Sequence, residues 1–223
     1  VLKEVQGEIE LRNVTFGYDN DAVLSNINLK VSKGESIALV GPSGGGKTTL
    51  LRDVLRQLSN GVSVLSQPGR TVAVVDERSE LAGSVDGIAR LDVGCRTDVL
   101  DGCPKCEGIR MLLRSMAPQV IAVDEIGTEA DALALEEAAQ SGVAVMATAH
   151  GDNLDTLYGH PVLGTLIRRQ YFQLIICLQW NMGQVVMEFW QPGGTENGAG
   201  KYKSIGFAAA GDSREQHRVL QSI

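Results

Sequence analysis

The period of the apolar positions changes along the chain, and each change marks an element. Residues 36–40 (Ser-Ile-Ala-Leu-Val) are a nearly unbroken apolar run, the pattern of a short strand covered on both faces. Gly41-Pro-Ser-Gly-Gly-Gly-Lys-Thr48 interrupts it, and apolar side chains then recur at 50, 51, 54, 55 and 58, the spacing of one helix face. Farther on, apolar runs at 71–75, 120–123, 143–148 and 171–178 predict strands. Residues 107–116 and 129–141 predict helices between them, and helical turns lead up to residue 169. Strands alternating with helical crossovers predict an α/β doubly wound parallel sheet flanked by helices, with ligands at the carboxyl ends of the strands.

The two ends of the chain follow another rhythm. Residues 8–16 and 23–31 are strand-like runs joined by the turn Asp19-Asn20-Asp21, and they predict a small antiparallel β element ahead of the core. Residues 184–189 predict one more strand, the turn-rich stretch 192–200 predicts a mobile loop, and the tail beyond it has no assignable pattern. The expected organisation is an N-terminal β element at 1–35, a core at 36–180 and a C-terminal strand, loop and tail at 181–223.

Composition narrows the class. Of 223 residues, 43% are hydrophobic and only 4% aromatic, so aliphatic side chains must fill the core, which suits a parallel sheet under helices. No apolar run approaches the roughly 20 residues of a membrane-spanning helix. The opening Val1-Leu-Lys-Glu4 lacks the features of a signal peptide and an initiator Met, which predicts a cytoplasmic protein, an excised or processed piece of one. A net charge of −7 argues against a sequence-independent grip on nucleic acid. The four cysteines of such a chain are expected as free thiols. Cys103-Pro-Lys-Cys106 has the spacing of a zinc knuckle or a redox pair, but only Cys95 and the distant Cys177 are left to complete a metal site.

The chemistry concentrates in three places. GPSGGGKT fits G-x-x-x-x-G-K-[ST], and its flanking strand and helix are the context a phosphate-binding P-loop requires. In such a loop the amides around Gly41, Ser43, Gly44, Gly45, Gly46 and Thr49 cradle phosphate at a helix N-terminus. Lys47 reaches the β- and γ-phosphates and Thr48 holds Mg²⁺. Val-Ile-Ala-Val-Asp124-Glu125, 77 positions beyond Lys47, is a buried strand that delivers Asp124 to the metal and Glu125 to a water attacking the γ-phosphate. Ala147-Thr148-Ala149-His150 closes the next strand, and Thr148 and His150 are both candidates for sensing the γ-phosphate; a structural histidine is the plainer alternative. Asp76-Glu77-Arg78-Ser79-Glu80 ends another strand and reads equally as a solvated charge run or as a source of one more metal- or water-directed carboxylate. Arg78, Arg96 and Arg114 are candidates for arginine fingers acting on a neighbouring copy, against the default of surface salt links.

Two resemblances rest on these residues. Residues 7–50, GEIELRNVTFGYDNDAVLSNINLKVSKGESIALVGPSGGGKTTL, resemble the start of an ABC-transporter ATPase domain. That family stacks an aromatic side chain on adenine, and Tyr18, 29 positions ahead of Lys47, matches the pattern; packing of the β element is the alternative role. The rest of the chain departs from that family. It has no LSGGQ-type signature, too little room for the helical subdomain that carries one, and in Gln67 a poor match for the metal-sensing glutamine. Residues 48–178 instead resemble the stage III sporulation protein AA family, relatives of the secretion-type ATPases. TTLLRDVLRQLS, VAVVDERSELAG, DVGCRTDVLDGCPKCEGIRMLLRSMAPQVIAVDEIGTEAD and GVAVMATAHG carry that match. The chain thus looks like a splice of two P-loop families at their shared motif, compatible with an engineered chimaera and with natural divergence. Together the resemblances imply a RecA-like P-loop NTPase fold and a Mg²⁺-dependent ATPase, slow in isolation. They also imply a homo-oligomer in which a neighbour's arginine completes the site, and a place beside a membrane-protein partner. The rival readings are a nucleotide-binding scaffold with little turnover and, farther off, a nucleic-acid motor.

Overall fold

The computed structural model of the protein describes residues 9–18, 21–31, 34–61, 68–181, 184–196 and 199–209, with the strand pairing alone described for 9–31. In chain order the elements are β1 (Ile9–Tyr18), β2 (Asp21–Val31), β3 (Ser36–Gly41), α1 (Lys47–Asn60), β4 (Val72–Asp76), β5 (Thr97–Asp101), α2 (Lys105–Met116) and β6 (Val120–Val123). There follow α3 (Glu129–Gln140), β7 (Ala144–His150), α4 (Leu154–Gly159), α5 (Leu163–Arg168), β8 (Leu174–Asn181), β9 (Gln184–Glu196) and β10 (Ala199–Ala209). β1 and β2 pair antiparallel as a separate ribbon, while the other eight strands form one sheet in the order β10-β9-β8-β3-β7-β6-β4-β5. From β8 to β5 every neighbouring pair is parallel. β7 therefore lies between β3, which leads into the glycine loop, and β6, which ends at Asp124.

Alternation along the central strands explains their continuous apolar runs. Ile37, Leu39, Val72, Val74, Val120 and Met146 face α1, whose Leu50, Leu51, Val54 and Leu55 cover them. Ala38, Val40, Ala73, Val75, Ile121, Val123 and Val145 face the opposite way, against side chains of α2, α3 and α5. Both faces are dry, so each strand needs apolar side chains at every position. α3 starts where Thr128 and Asp131 form a reciprocal capping box, with the Asp131 amide donating to the Thr128 hydroxyl at 3.1 Å.

The structure adds one element and corrects one expectation. β5 has no strand signal in the sequence, because Thr-Asp-Val-Leu-Asp is a half-exposed edge strand paired on one side with β4, and its polar positions hide the pattern. The stretch 192–200, expected as a mobile loop, belongs instead to the β9–β10 hairpin, outside the described residues only at 197–198. The pairing of β9 with β8 stops at Trp190, so Pro192, with no N–H to give, sits on a stretch whose strand pairing is with β10, opposite Tyr202 at a register shift. The buried Tyr202 hydroxyl donates to the Phe172 carbonyl and pins the hairpin to the sheet. Residues 210–223 lie outside the described residues.

Candidate functional site

The glycine loop leaves the carboxyl end of β3 and enters α1 directly. Gly44 and Gly46 hold φ at 74° and 85°, the left-handed region that glycine adopts without strain, and the Gly45 amide between them donates to the Pro42 carbonyl at 3.1 Å. Gly41 is required for another reason: a Cβ there would stand 2.7 Å from the Leu178 carbonyl oxygen on β8. Lys47 is half-buried and its ammonium donates to the carbonyls of Gly41 and Pro42, both at 2.8 Å, so its charge is held over the loop. Burial lowers its pKa, opposed by the charges of Asp124 and Glu125. Thr49 lies half-buried in the first turn of α1.

β6 brings the second motif alongside. The Thr48 hydroxyl donates to Asp124 Oδ2 at 3.1 Å, across 76 positions of sequence. A hydroxyl and a carboxylate side by side at the end of a phosphate loop are the hard oxygen donors Mg²⁺ prefers, so the residues present fit that ion. Thr148 on β7 completes the frame. Fully buried, its hydroxyl donates to the other oxygen of Asp124 and accepts the Glu125 amide at 2.7 Å. Its carbonyl accepts the Ile126 amide at 2.9 Å. Glu125 is thereby held at φ 51°, a conformation a non-glycine residue adopts only when its surroundings impose it.

The structure separates the two candidate sensors. Thr148 is spent on the strand ends, whereas the exposed His150 places Nδ1 3.4 Å from the Ser43 hydroxyl of the phosphate loop. It also divides the run 76–80. Asp76 is fully buried and its two oxygens accept the amides of Glu80 and Ala82, at 2.9 and 2.8 Å, so it shapes the turn. Glu77 pairs with the largely buried Lys105, and Arg78 pairs with Glu125. Lys105, Arg78, Glu125, Thr128 and His150 line one open cleft of about 500 Å³ beside the phosphate loop. The pairing of Arg78 with Glu125 is the contact that sequence reasoning missed; two loops 47 positions apart meet only through the sheet order. The Tyr18 side chain and Gln67 lie outside the described residues. Among the described residues no group of three or more His, Cys, Asp or Glu side chains is placed to hold a metal, so Cys103 and Cys106 gain no such partners.

A model of the family described as sporulation stage III, protein AA matches residues 14–189. The chain belongs to that family. Stage III sporulation protein AA of Bacillus subtilis is 47% identical over 134 residues, which are 60% of this chain and 43% of that protein. The chain thus spans less than half the length of that family member. The expected ABC-like segment also has counterparts: the chloroplastic ABC transporter B family member 29 of Arabidopsis thaliana is 53% identical over 57 residues, 25% of this chain and 9% of that protein. In fold the family chain is similar to the Legionella pneumophila ATPase DotB, with a TM-score of 0.52 at 18% identity, covering 85% of this chain and 49% of that one. The mostly parallel sheet flanked by helices is accordingly an α/β P-loop NTPase fold.

Proposed function

We propose that this chain binds ATP with Mg²⁺ and hydrolyses it, slowly when isolated. One observation carries the reading: Thr48 at the end of the glycine loop and Asp124 at the end of β6 meet at 3.1 Å, as a shared metal site demands. Phosphoryl transfer depends mainly on positioning and charge stabilisation, and each part has a residue here. The amides of Gly44 and Gly46 and the Lys47 ammonium bind the phosphate oxygens. Thr48 and Asp124 hold Mg²⁺, which when bound neutralises charge on the β- and γ-phosphates. Glu125 orients the attacking water and takes its proton, and His150, beside Ser43, reads the γ-phosphate. Thr148 keeps Asp124 and Glu125 in register.

The rival scaffold reading draws on one observation: Glu125 is paired with Arg78, and a glutamate kept in that pair would not act on water. Names of relatives, a transporter and a flippase among them, favour a membrane-protein partner and peripheral attachment. No helix among the described residues is long and apolar enough to cross a membrane. The deciding measurement is Mg·ATP binding together with phosphate release across a range of protein concentrations. Binding with slow, Mg²⁺-dependent release is expected. Binding without release at any concentration selects the scaffold, and absence of binding rejects the ATP site.

A further inference from the structure

We infer that Arg78 is a latch on Glu125 that the γ-phosphate releases: its guanidinium holds the glutamate while the site is empty and transfers to the γ-phosphate when ATP enters. The inference rests on the ATP-site reading above and adds the element that couples occupancy to chemistry.

The backbone on both sides of the pair is immobilised. On the arginine side, Asp76 ties down the amides of Glu80 and Ala82, and Arg52 from α1 donates to the carbonyls of Leu81 and Glu80 at 2.6 and 2.7 Å. Lys105 holds Glu77, the neighbour of Arg78. On the glutamate side, Thr148 holds the amides of Glu125 and Ile126. What can move is the pair of side chains. Arg78 is 60% exposed and Glu125 41%, and a pair that open to water contributes no more than about five-fold to an equilibrium constant. A phosphate oxygen, with higher charge and room for a forked contact, competes well for the same guanidinium.

The destination is close. Arg78, Glu125 and His150 line the same cleft, and His150 reaches Ser43 of the phosphate loop at 3.4 Å. A guanidinium already in contact with the residue that must face the γ-phosphate needs only a side-chain rotation to reach that phosphate. Freed of its partner, Glu125 can then accept a proton from water. ADP, lacking the third phosphate, leaves the latch closed.

The test removes the arginine where the ion pair no longer exists. In the Glu125→Gln chain, Arg78→Ala is titrated with Mg²⁺ and the β,γ-imido analogue of ATP, then with Mg²⁺ and ADP, by calorimetry. Arg78→Gln serves as a second variant, and thermal melting of each sample controls for folding. Transfer to the γ-phosphate predicts about ten-fold weaker binding of the triphosphate analogue and less than two-fold change for ADP. Arg78→Lys, with the charge but not the fork, should fall between. Losses below two-fold for both nucleotides overturn the latch, because Arg78 then has no partner but Glu125. Equal ten-fold losses for both also overturn it, since the contact would not be to the γ-phosphate. A Glu125→Gln parent that binds neither nucleotide rejects the ATP site itself and is distinguished from failure of the latch by that fact.

Discussion

Lys47, Glu125 and Thr148 make separate demands on the site, and substitution separates them. Lys47→Ala removes a charge-assisted contact to phosphate worth about 1.5–3 kcal/mol, so ATP affinity measured by titration should fall by roughly 10- to 150-fold while the fold persists. Glu125→Gln keeps the side-chain shape and loses the carboxylate proposed as the base. Binding should persist or tighten, and phosphate release should slow by about 10²-fold or more. Thr148→Val keeps the volume but leaves Asp124 and the Glu125 amide each short of one buried partner. That costs about 1–3 kcal/mol in a urea titration, and turnover falls with it because the Asp124–Glu125 register is lost. Cys177 tests burial directly. Its thiol is pushed up from 9.0 to about 12 by burial against β3. A raised folded-state pKa gives stability that is whole below pH 9 and is lost as pH rises toward 12. Unfolding midpoints should therefore decline above pH 9, and iodoacetamide at pH near 8.5 should label the exposed Cys95 of the native chain and spare Cys177.

At the scale of elements, the helix starts carry more of the site than their lengths suggest. α3 begins at Glu129, two residues after Gly127, and the Thr128–Asp131 box sets where the chain leaves the Asp124-Glu125 strand end. Thr128→Ala should cost about 1 kcal/mol by denaturant titration. Thr128 also lines the cleft, so a larger fractional loss in phosphate release than in stability would show that the cap positions the site. The first fifth of the chain makes its own claim. If Tyr18 stacks on adenine, Tyr18→Ala weakens ATP and GTP by about 5- to 150-fold and Tyr18→Trp is nearly neutral. If it packs the β1–β2 ribbon, the melting temperature falls and the affinity of the folded fraction does not. The periodicity of α1 and the apolar runs of β3, β4, β6 and β7 made those elements legible, because burial on one face or on both leaves a pattern in a single segment. The strand expected at 184–189 is the first half of β9; β5, the far half of β9 and β10 escaped, because an edge strand and a stretch paired on one side tolerate polar residues, glycine and Pro192.

For the whole molecule, the resemblance to secretion-type ATPases predicts that a neighbouring copy contributes to the site. Specific ATPase activity should then rise with protein concentration, and Arg96→Ala and Arg114→Ala should lose activity while keeping ATP affinity. A monomer by light scattering with concentration-independent turnover would remove that idea. A chain carrying −7 should show no salt-sensitive shift of DNA.

The sequence by itself determined the phosphate loop, the Asp124-Glu125 strand end, the class of the sheet and the family, because each is written in contiguous residues whose spacing is the chemistry. Tertiary structure alone decided which partners the charged side chains take. The sheet order places β7 between β3 and β6 and β4 beyond β6, so Thr148 reaches Asp124, His150 reaches Ser43 and Arg78 reaches Glu125. Asp76, Glu77 and Arg78 are consecutive and look alike as a charge run, yet one is buried among amides, one is paired with Lys105 and one holds Glu125. Those fates depend on long-range packing that fixes distances between segments, and no local pattern of residues encodes a distance across the sheet.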